Sequence, residues 1–211
     1  MFMIKRYQSV SAVIINKQNE VLMLKRSKQK KHNPGEWNVV AGHVDVGVSP
    51  EEAIIKEVKE ELGLEPELLL PGVLWYVYQS VSDRIYEDRT FLATLGPGNV
   101  VLNEEHEDYK WAGYDDVKSL AVVPFLLENF HQVGITESKQ PFKVLYRNYK
   151  GEVKWRYISP LKYYFGSTEY HDESQWLLEC FDHDKKAERT YAVKDIQVMA
   201  PPVYLPLEVL S

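Results

Sequence analysis

Cysteine is nearly absent from this sequence, which has a single one, Cys180, among 211 residues. One thiol cannot form an internal disulfide framework or a cysteine-based zinc site, and such low cysteine usage is typical of a reducing compartment. The six histidines show no H-x-x-x-H spacing, and the chain has neither a G-x-S-x-G motif nor a P-loop. These absences argue against a zinc hydrolase, and the sequence gives no motif for a serine hydrolase or a P-loop nucleotide-binding protein.

Long apolar runs are also missing. No stretch approaches the roughly 20 apolar residues that a membrane helix needs, and the N-terminus MFMIKRYQSV has no apolar core of signal-peptide length. The sequence therefore predicts a cytoplasmic protein without a membrane partner. A strong basic surplus is absent as well, since residues 1–135 carry 14 Lys and Arg against 20 Asp and Glu, and residues 136–211 carry 11 of each. A broad nucleic-acid-binding surface is not indicated, although a local basic patch is not excluded.

The chain length and the change in texture after Gly134 predict two units, residues 1–135 and 136–211. In the first unit, apolar runs at 9–16 and 20–26 predict a β-hairpin, and YKWAGYDDV predicts a further short strand. In the second, short strands alternate with the turn signals YKGE and HDKKAE, which is typical of a small all-β unit. The tail APPVYLPLEVLS is predicted to be an extended arm that packs on the body or on a second copy, so a homodimer is one expectation.

The stretch GHVDVGVSPEEAIIKEVKEELGL contains the clearest helix signal. Ser49 is a good N-cap, Pro50 suits the first helical position, Glu52 completes a capping box, and Gly63 is a natural stop. At 100° per residue the apolar side chains form one face, and three carboxylates form the neighbouring face. The simpler interpretation of that second face is a solvated helix surface; the alternative is a site for a divalent cation, which prefers hard oxygen ligands. The three carboxylates belong to Glu57, Glu60 and Glu61.

This stretch resembles the signature of the Nudix hydrolases, G-x5-E-x7-R-E-U-x-E-E-x-G-U, in which U is a bulky aliphatic residue. Seven of its nine defined positions match over Gly42–Leu64, and the likeness extends over roughly residues 7–133. The resemblance implies an α/β/α sandwich around a mixed sheet, so the expected fold class is α/β with a small all-β, barrel-like C-terminal domain. The matching positions are Gly42, Glu57, Val58, Glu60, Glu61, Gly63 and Leu64.

The resemblance implies hydrolysis of a nucleoside diphosphate linked to another group, with Mg²⁺, or alternatively Mn²⁺, as the cofactor. It makes Glu57 and Glu61 the metal ligands with Glu60 in support, and it leaves the catalytic base open between Glu57 and a Glu outside the motif. Glu105, in the segment E-H-x-x-Y-x-W, is the favoured outside residue, with a solvated loop as the alternative. Arg26 resembles a position that contacts substrate phosphate, with an ordinary exposed Arg as the alternative.

Aromatic residues are the remaining candidates in the first unit. Trp75, Tyr76, Tyr78 and Tyr86 are candidates to stack on a base, against the simpler interpretation of core packing.

Two positions depart from the signature, because Val48 stands where the family has Glu and Lys56 stands where it has Arg. In the family these two residues mainly brace the loop and the helix. Val cannot accept a hydrogen bond, and Lys lacks the planar fork of Arg. We expect weaker support of the loop, with the metal-ligand carboxylates intact.

The C-terminal unit resembles, over YRNYKGEVKWRYISP and the strands that follow, the WYL-type small β-barrel of bacterial and phage regulators. That resemblance makes Arg147, Arg156 and Arg189 candidates for binding a nucleotide or nucleic acid, with Tyr146, His171 and Trp176 nearby. Packing and solubility of a half-exposed sheet are the simpler explanation, and the unit has no net charge. Two hypotheses follow: a pyrophosphohydrolase with an accessory β domain, or a nucleotide sensor whose β domain passes the signal to a partner.

Overall fold

The computed structural model describes residues 5–79, 84–135 and 141–200, and all the structural statements below concern these residues. Three β-sheets and three α-helices make up this described part of the chain. The elements of the N-terminal part are β1 (Lys5–Ile14), β2 (Val21–Arg26), β3 (Trp37–Asn38), β4 (Val40–His43), α1 (Pro50–Leu62), β5 (Pro66–Leu69), β6 (Val73–Gln79), β7 (Arg84–Leu95), β8 (His106–Ala112), α2 (Tyr114–Lys118) and α3 (Leu126–Gln132).

The central sheet has the strand order β4-β1-β7-β5, and β6 also pairs with β7. Strand β1 runs parallel to β7 and antiparallel to β4, so the sheet is mixed, which confirms that part of the sequence prediction. A second, antiparallel sheet has the order β3-β2-β8. Strand β8 follows the loop at 103–105 and pairs with β2 as far as Arg26. This pairing places the loop next to the end of β2, where the candidate site lies.

Side-chain alternation along β1 places helices on the two faces of the central sheet. Val10 and Ile14 are buried in one cluster with Ile54 of α1, whereas Val13 is buried in another cluster with Phe130 of α3. Because successive side chains of a strand point to opposite faces, one strand serves both cores. The helices thus flank the sheet in the α/β/α manner that the resemblance implied.

Two local predictions need correction. The predicted hairpin is wrong, because β1 and β2 join different sheets, and the turn at 16–20 and one isolated bridge, Ile15–Val21, connect them. The predicted strand YKWAGYDDV ends at Ala112 and is followed by the short helix Tyr114–Lys118. Both errors have the same origin, since partner choice and strand termination depend on contacts far away in the sequence.

The C-terminal part forms a separate five-stranded antiparallel sheet with the order β12-β11-β10-β9-β13. The all-β prediction is confirmed at this level. Within the described residues the recorded pairings leave β12 and β13 as opposite edges, so closure into a barrel stays a prediction. The elements are β9 (Phe142–Arg147), β10 (Val153–Thr168), β11 (His171–Asp182), β12 (Ala187–Ala192), a 3₁₀ turn (Val193–Asp195) and β13 (Ile196–Ala200).

One face of this C-terminal sheet packs on the N-terminal part. Val144 and Leu178 belong to the same buried cluster as Phe130 and Val133. The Tyr163 hydroxyl donates a buried hydrogen bond of 3.1 Å to the carbonyl of Val133. The single thiol, Cys180, is buried in this cluster, and burial raises its pKa to about 12, so the thiolate form is suppressed at neutral pH.

Several sequence predictions fall outside the described residues. These are the Pro-rich tail at 201–211 and most of the predicted domain boundary at 136–140, while the side chains of Tyr78 and His171 are also not described. The division into two domains therefore stays a prediction. Across the described residues, every helix is too short or too polar to cross a membrane.

Candidate functional site

Helix α1 begins and ends where the sequence predicts. The Glu52 backbone N–H donates to Ser49 Oγ at 3.2 Å, and the Ser49 backbone N–H donates to the Glu52 carboxylate at 3.0 Å, which completes the capping box. Gly63 ends the helix with φ of 68°, a left-handed conformation that glycine adopts without steric cost, and its N–H bonds to the carbonyl of Lys59. The caps set where the helix begins and ends, and burial of Ile54, Val58 and Leu62 sets its rotation and hence the direction of its carboxylates.

Gly42 lies in β4 directly beneath the side chain of Glu57. A Cβ atom at position 42 would come within 2.0 Å of Glu57 Oε1 and 2.5 Å of its Cγ. Only glycine therefore lets the half-buried Glu57 lie across the strand. Burial and the nearby Glu60 raise the pKa of Glu57, and Lys56 partly offsets them. Glu60 itself is exposed and lies at the rim.

Glu61 is the most deeply buried carboxylate of the helix, with 4% of its surface exposed. The backbone N–H of Ala41 donates a hydrogen bond to the carboxylate, but Glu61 Oε2 has no hydrogen-bond partner. Burial, followed by repulsion from Glu57 and Glu105, raises the pKa of Glu61 well above its ordinary value. A buried carboxylate oxygen without a partner is costly, so this atom indicates a place where positive charge would be stabilising.

His106 faces Glu61, with its Nε2 atom 3.8 Å from Glu61 Oε2. A bulge explains this direction: Lys25 pairs with Asp108 while Arg26 pairs with His106, so Glu107 is the extra residue of β8. Bulges re-aim side chains. Burial, then the charge of Arg26, lowers the pKa of His106 to about 4, which leaves the imidazole neutral at pH 7. His106 lies within the E-H-x-x-Y-x-W segment, but no feature of the sequence alone indicated a function for it.

Arg26 and Glu105 lie at the same edge of this group of residues, where the backbone N–H of Ser27 donates to the carbonyl of Glu105 at 2.8 Å. The charge of Arg26 acts on Glu61, Glu105 and His106, and its Nε donates to the His32 carbonyl at 3.1 Å. Glu105 pairs with Lys30 at 2.5 Å, and this contact lowers its pKa.

The basic loop at 28–31 therefore contributes Lys30 to this group of residues. No residue spacing within the loop could have shown that contact.

The two residues that depart from the signature are both exposed. Val48 is 37% exposed, while Lys56 Nζ lies 4.0 Å from Asp45 Oδ2 and 3.9 Å from Glu60 Oε1. Asp45 therefore partly replaces the missing glutamate as the acidic partner of Lys56. Because these side chains are largely exposed and the distances are long, the pairs brace the loop only weakly.

A cavity of about 210 Å³ opens on the other side of β1. Its floor is organised by the buried Asp88, which accepts hydrogen bonds from Ser9, Ser11, Thr90 and the Trp75 indole. Burial raises the pKa of Asp88, and these four hydrogen bonds oppose the rise.

Two of the four aromatic candidates, Trp75 and Tyr86, line this cavity, whereas Tyr76 is 59% exposed and is not among its lining residues. Asp88 was missed because an acidic residue within a strand-like sequence gives no local sign of burial. Its partners come from three different strands.

The three C-terminal arginines do not form one group. Arg156 pairs with the buried Val144 and Arg189 pairs with the buried Cys180, so both belong to the face of the sheet that packs on the core, at its margin. Arg147 pairs with Val153 on the opposite face. Because side chains alternate along a strand, the structure brings at most two of them together.

The donor set of the α1 region fits a divalent cation in its chemistry. The charge of Glu105 raises the pKa of both Glu57 and Glu61, Glu57 raises that of Glu61, and Glu61 presents an oxygen without a partner. Mg²⁺ takes oxygen ligands and usually keeps several waters. In the described ranges, however, no three His, Cys, Asp or Glu side chains stand close enough to hold a metal ion as they are. The carboxylates are therefore chemically suited to a divalent cation, but among the described residues they are not yet arranged around one ion position.

Comparison with known proteins agrees with this fold. The NUDIX domain profile matches residues 5–133, so this chain belongs to the NUDIX domain family. Isopentenyl-diphosphate Delta-isomerase of Salmonella heidelberg (strain SL476) is 35% identical over 121 residues, which are 54% of this chain and 67% of that protein. The C-terminal sheet lies beyond the family match.

Solved structures show the same likeness. The MutT protein from Methanosarcina mazei Go1 has a TM-score of 0.50 and 25% identity, covering 62% of this chain and 93% of that one. The NUDIX domain of Shewanella oneidensis NrtR, complexed with ADP ribose, has a TM-score of 0.50 and 18% identity, covering 61% of this chain and 86% of that one. At that identity the second likeness concerns the fold alone.

Proposed function

We propose that this protein is a divalent-metal-dependent NUDIX hydrolase that cleaves a phosphoanhydride bond in a nucleoside diphosphate linked to another group. The observation that carries the proposal is the Glu61 carboxylate, which is buried, lacks a partner on Oε2, and is coupled to Glu57 and Glu105. A purely structural helix face would be exposed and solvated, as Glu60 is. Buried, mutually repelling carboxylates cost stability and are typical of functional sites.

The proposed tasks follow from charge and position. Glu57 and Glu61 would hold Mg²⁺, or Mn²⁺, with Glu60 in support, and the cation would neutralise substrate phosphate and favour ionisation of water. Arg26 would contact substrate phosphate, because its charge acts directly on this group of residues. Glu105 is the proposed base. Its lowered pKa keeps it ionised at pH 7, although the same shift makes it a weaker base than Glu57.

The cavity beside Trp75 and Tyr86 is the proposed place for the nucleoside or the linked group. It combines aromatic surface with the hydroxyl groups that Asp88 holds in place. Small-molecule sites commonly have such a largely apolar wall with a few fixed polar groups.

A substrate panel with Mg²⁺ or Mn²⁺ tests this proposal. The panel should contain nucleoside triphosphates, ADP ribose and dinucleoside polyphosphates, with phosphate and nucleotide products measured directly. It should also contain isopentenyl diphosphate, with detection of its isomer, because one relative is named for that reaction. We expect metal-dependent hydrolysis of at least one nucleotide. Isomerisation without hydrolysis, or no turnover of any compound, would contradict the proposal.

A nucleotide sensor is the second candidate, and the weak brace around Val48 and Lys56 favours it. In this case a nucleotide binds without turnover, and the C-terminal sheet passes the signal to a partner or a nucleic acid. The WYL-like assignment of the sheet, with Arg156 and Arg189 as ligand contacts, belongs to this candidate. A nucleotide that raises Tm but is not consumed in the presence of Mg²⁺ would favour the sensor.

Restoring the signature distinguishes the candidates further. In the Val48→Glu, Lys56→Arg double variant we expect a several-fold increase in kcat/KM, because a carboxylate and a guanidinium can form the bidentate pair that Val and Lys cannot. The single variants serve as controls and should gain less than the double variant. Equal activity in all four proteins would mean that the loop needs no brace.

A further inference from the structure

The face of the C-terminal sheet that points away from the core carries an unusual number of apolar side chains. Trp155 is 50% exposed, Tyr157 is 40% exposed and Phe181 is 37% exposed. Register places all three on the side opposite to the buried Val144 and Cys180. We call this the outer face, and it also includes Leu145, Val153 and Val198. An antiparallel sheet with one face on a core normally presents polar side chains on the other.

The aromatic side chains of the outer face are held in place. The rings of Tyr157 and Phe181 both pack on His183, at centroid distances of 5.0 and 5.1 Å. His183 in turn shares a hydrogen bond of 2.9 Å with the hydroxyl of Ser159. Fixed aromatic side chains lose little conformational entropy on binding, which makes them effective contact residues.

The outer face carries charges of both signs. Lys143 and Arg147 stand on β9, on one side of the aromatic residues, and Glu188 stands on β12, on the other. Between them, Lys162 of β10 forms an ion pair of 3.2 Å with Glu179 of β11. Single-stranded nucleic acid also binds exposed aromatic residues, but it pairs them with a continuous basic groove, which this mixed face does not present. A protein surface with the opposite arrangement of charge fits better.

We propose that the outer face is the interface through which two copies of this chain associate about a twofold axis. An axis parallel to the strands, between β10 and β11, places β9 of one copy opposite β12 of the other. In the strand register Lys143 is paired with Tyr157, and Glu188 is paired with Phe181, which is itself paired with Ser159. Tyr157 and Ser159 are two residues apart on β10, so Lys143 and Glu188 lie within two residues of the same height along the strands. The same rotation brings Tyr157 and Phe181 to within two residues of the same height across the axis. The face is complementary to itself, as such an interface requires.

Molar mass across a concentration series tests the proposal. We expect light scattering and sedimentation to show a monomer–dimer equilibrium between about 1 µM and about 1 mM. The Trp155→Ser, Tyr157→Ser double variant should be monomeric throughout. Tyr170→Ser is the matched control, since it removes an 81% exposed aromatic residue from a turn outside the face. A wild-type monomer at every concentration would overturn the proposal, as would an unchanged dimer in the double variant.

Charge reversal tests the twofold arrangement without removing apolar packing. Lys143→Glu and Glu188→Lys should each weaken dimerisation by at least about tenfold, because each places like charges opposite one another. The combined variant should recover most of the wild-type affinity. A combined variant as weak as either single variant would overturn the arrangement. Binding of a labelled single-stranded oligonucleotide by a monomeric wild type, with loss in Trp155→Ser, would instead assign the face to nucleic acid.

Discussion

Glu61→Gln is expected to lower metal-dependent hydrolysis by at least about 100-fold, which corresponds to roughly 2.7 kcal/mol of lost transition-state stabilisation. The amide keeps the shape of the side chain and removes the negative charge that a cation requires. The measurement is kcat/KM with the best nucleotide of the panel, together with the shift in Tm on adding Mg²⁺. The wild type should be stabilised by Mg²⁺, and Glu61→Gln should respond much less.

The same variant should stabilise the metal-free protein at neutral pH. The pKa of Glu61 is raised on folding, so the folded state binds this proton more tightly than the unfolded chain does. The contribution of Glu61 to the free energy of unfolding therefore falls as the pH rises from the ordinary pKa of 4.5 through the raised pKa of the folded state. Without metal, Glu61→Gln should have a Tm a few degrees higher than that of the wild type at pH 7. The difference should disappear below about pH 4.5, where both states are protonated.

Glu51→Gln is the control for these measurements. Glu51 is an exposed carboxylate in the first turn of the same helix, so its replacement changes the net charge equally without entering the site. It should leave the activity and the Mg²⁺ response unchanged. Retained metal-dependent turnover in Glu61→Gln would show that Glu61 is not a metal ligand.

Gly42→Ala is expected to reduce activity by about 100-fold or more, although the new methyl group is small. Its Cβ would occupy the position of the Glu57 side chain, with a separation of 2.5 Å even from Cγ. Because Glu57 is a flexible side chain, it can move away, so the fold should survive while the carboxylate is displaced. Mn²⁺ titration should show weaker binding, and circular dichroism should show unchanged secondary structure.

Gly166→Ala is the matched control for this variant. A Cβ at Gly166 would contact the Tyr164 ring at 3.4 Å, an ordinary distance, in a strand far from α1 in the sequence. It should retain wild-type activity. An active Gly42→Ala variant would mean that the position of Glu57 is not critical for the reaction.

The candidate site shows which of its parts are encoded locally. The caps Ser49 and Gly63 and the 3.6-residue period determine where α1 begins, where it ends and which face carries the carboxylates, because these effects act within a few residues. The signature also identified Gly42, and the structure adds the reason, since Glu57 lies across it. Arg26 and Glu105 could be proposed by resemblance alone. Their shared position depends on the pairing of β2 with β8.

The amino-acid sequence by itself determined the family, the acidic helix, the two departures at Val48 and Lys56, and the all-β character of the C-terminal part. Only the tertiary structure decided that Glu61 is buried beside His106, that Asp88 organises a cavity, and that β1 and β2 enter different sheets. It also decided which face of the last sheet is exposed. The physical reason is range: caps and periodicity act between neighbours in the chain, whereas burial, strand pairing and pKa shifts arise from residues that only folding brings together.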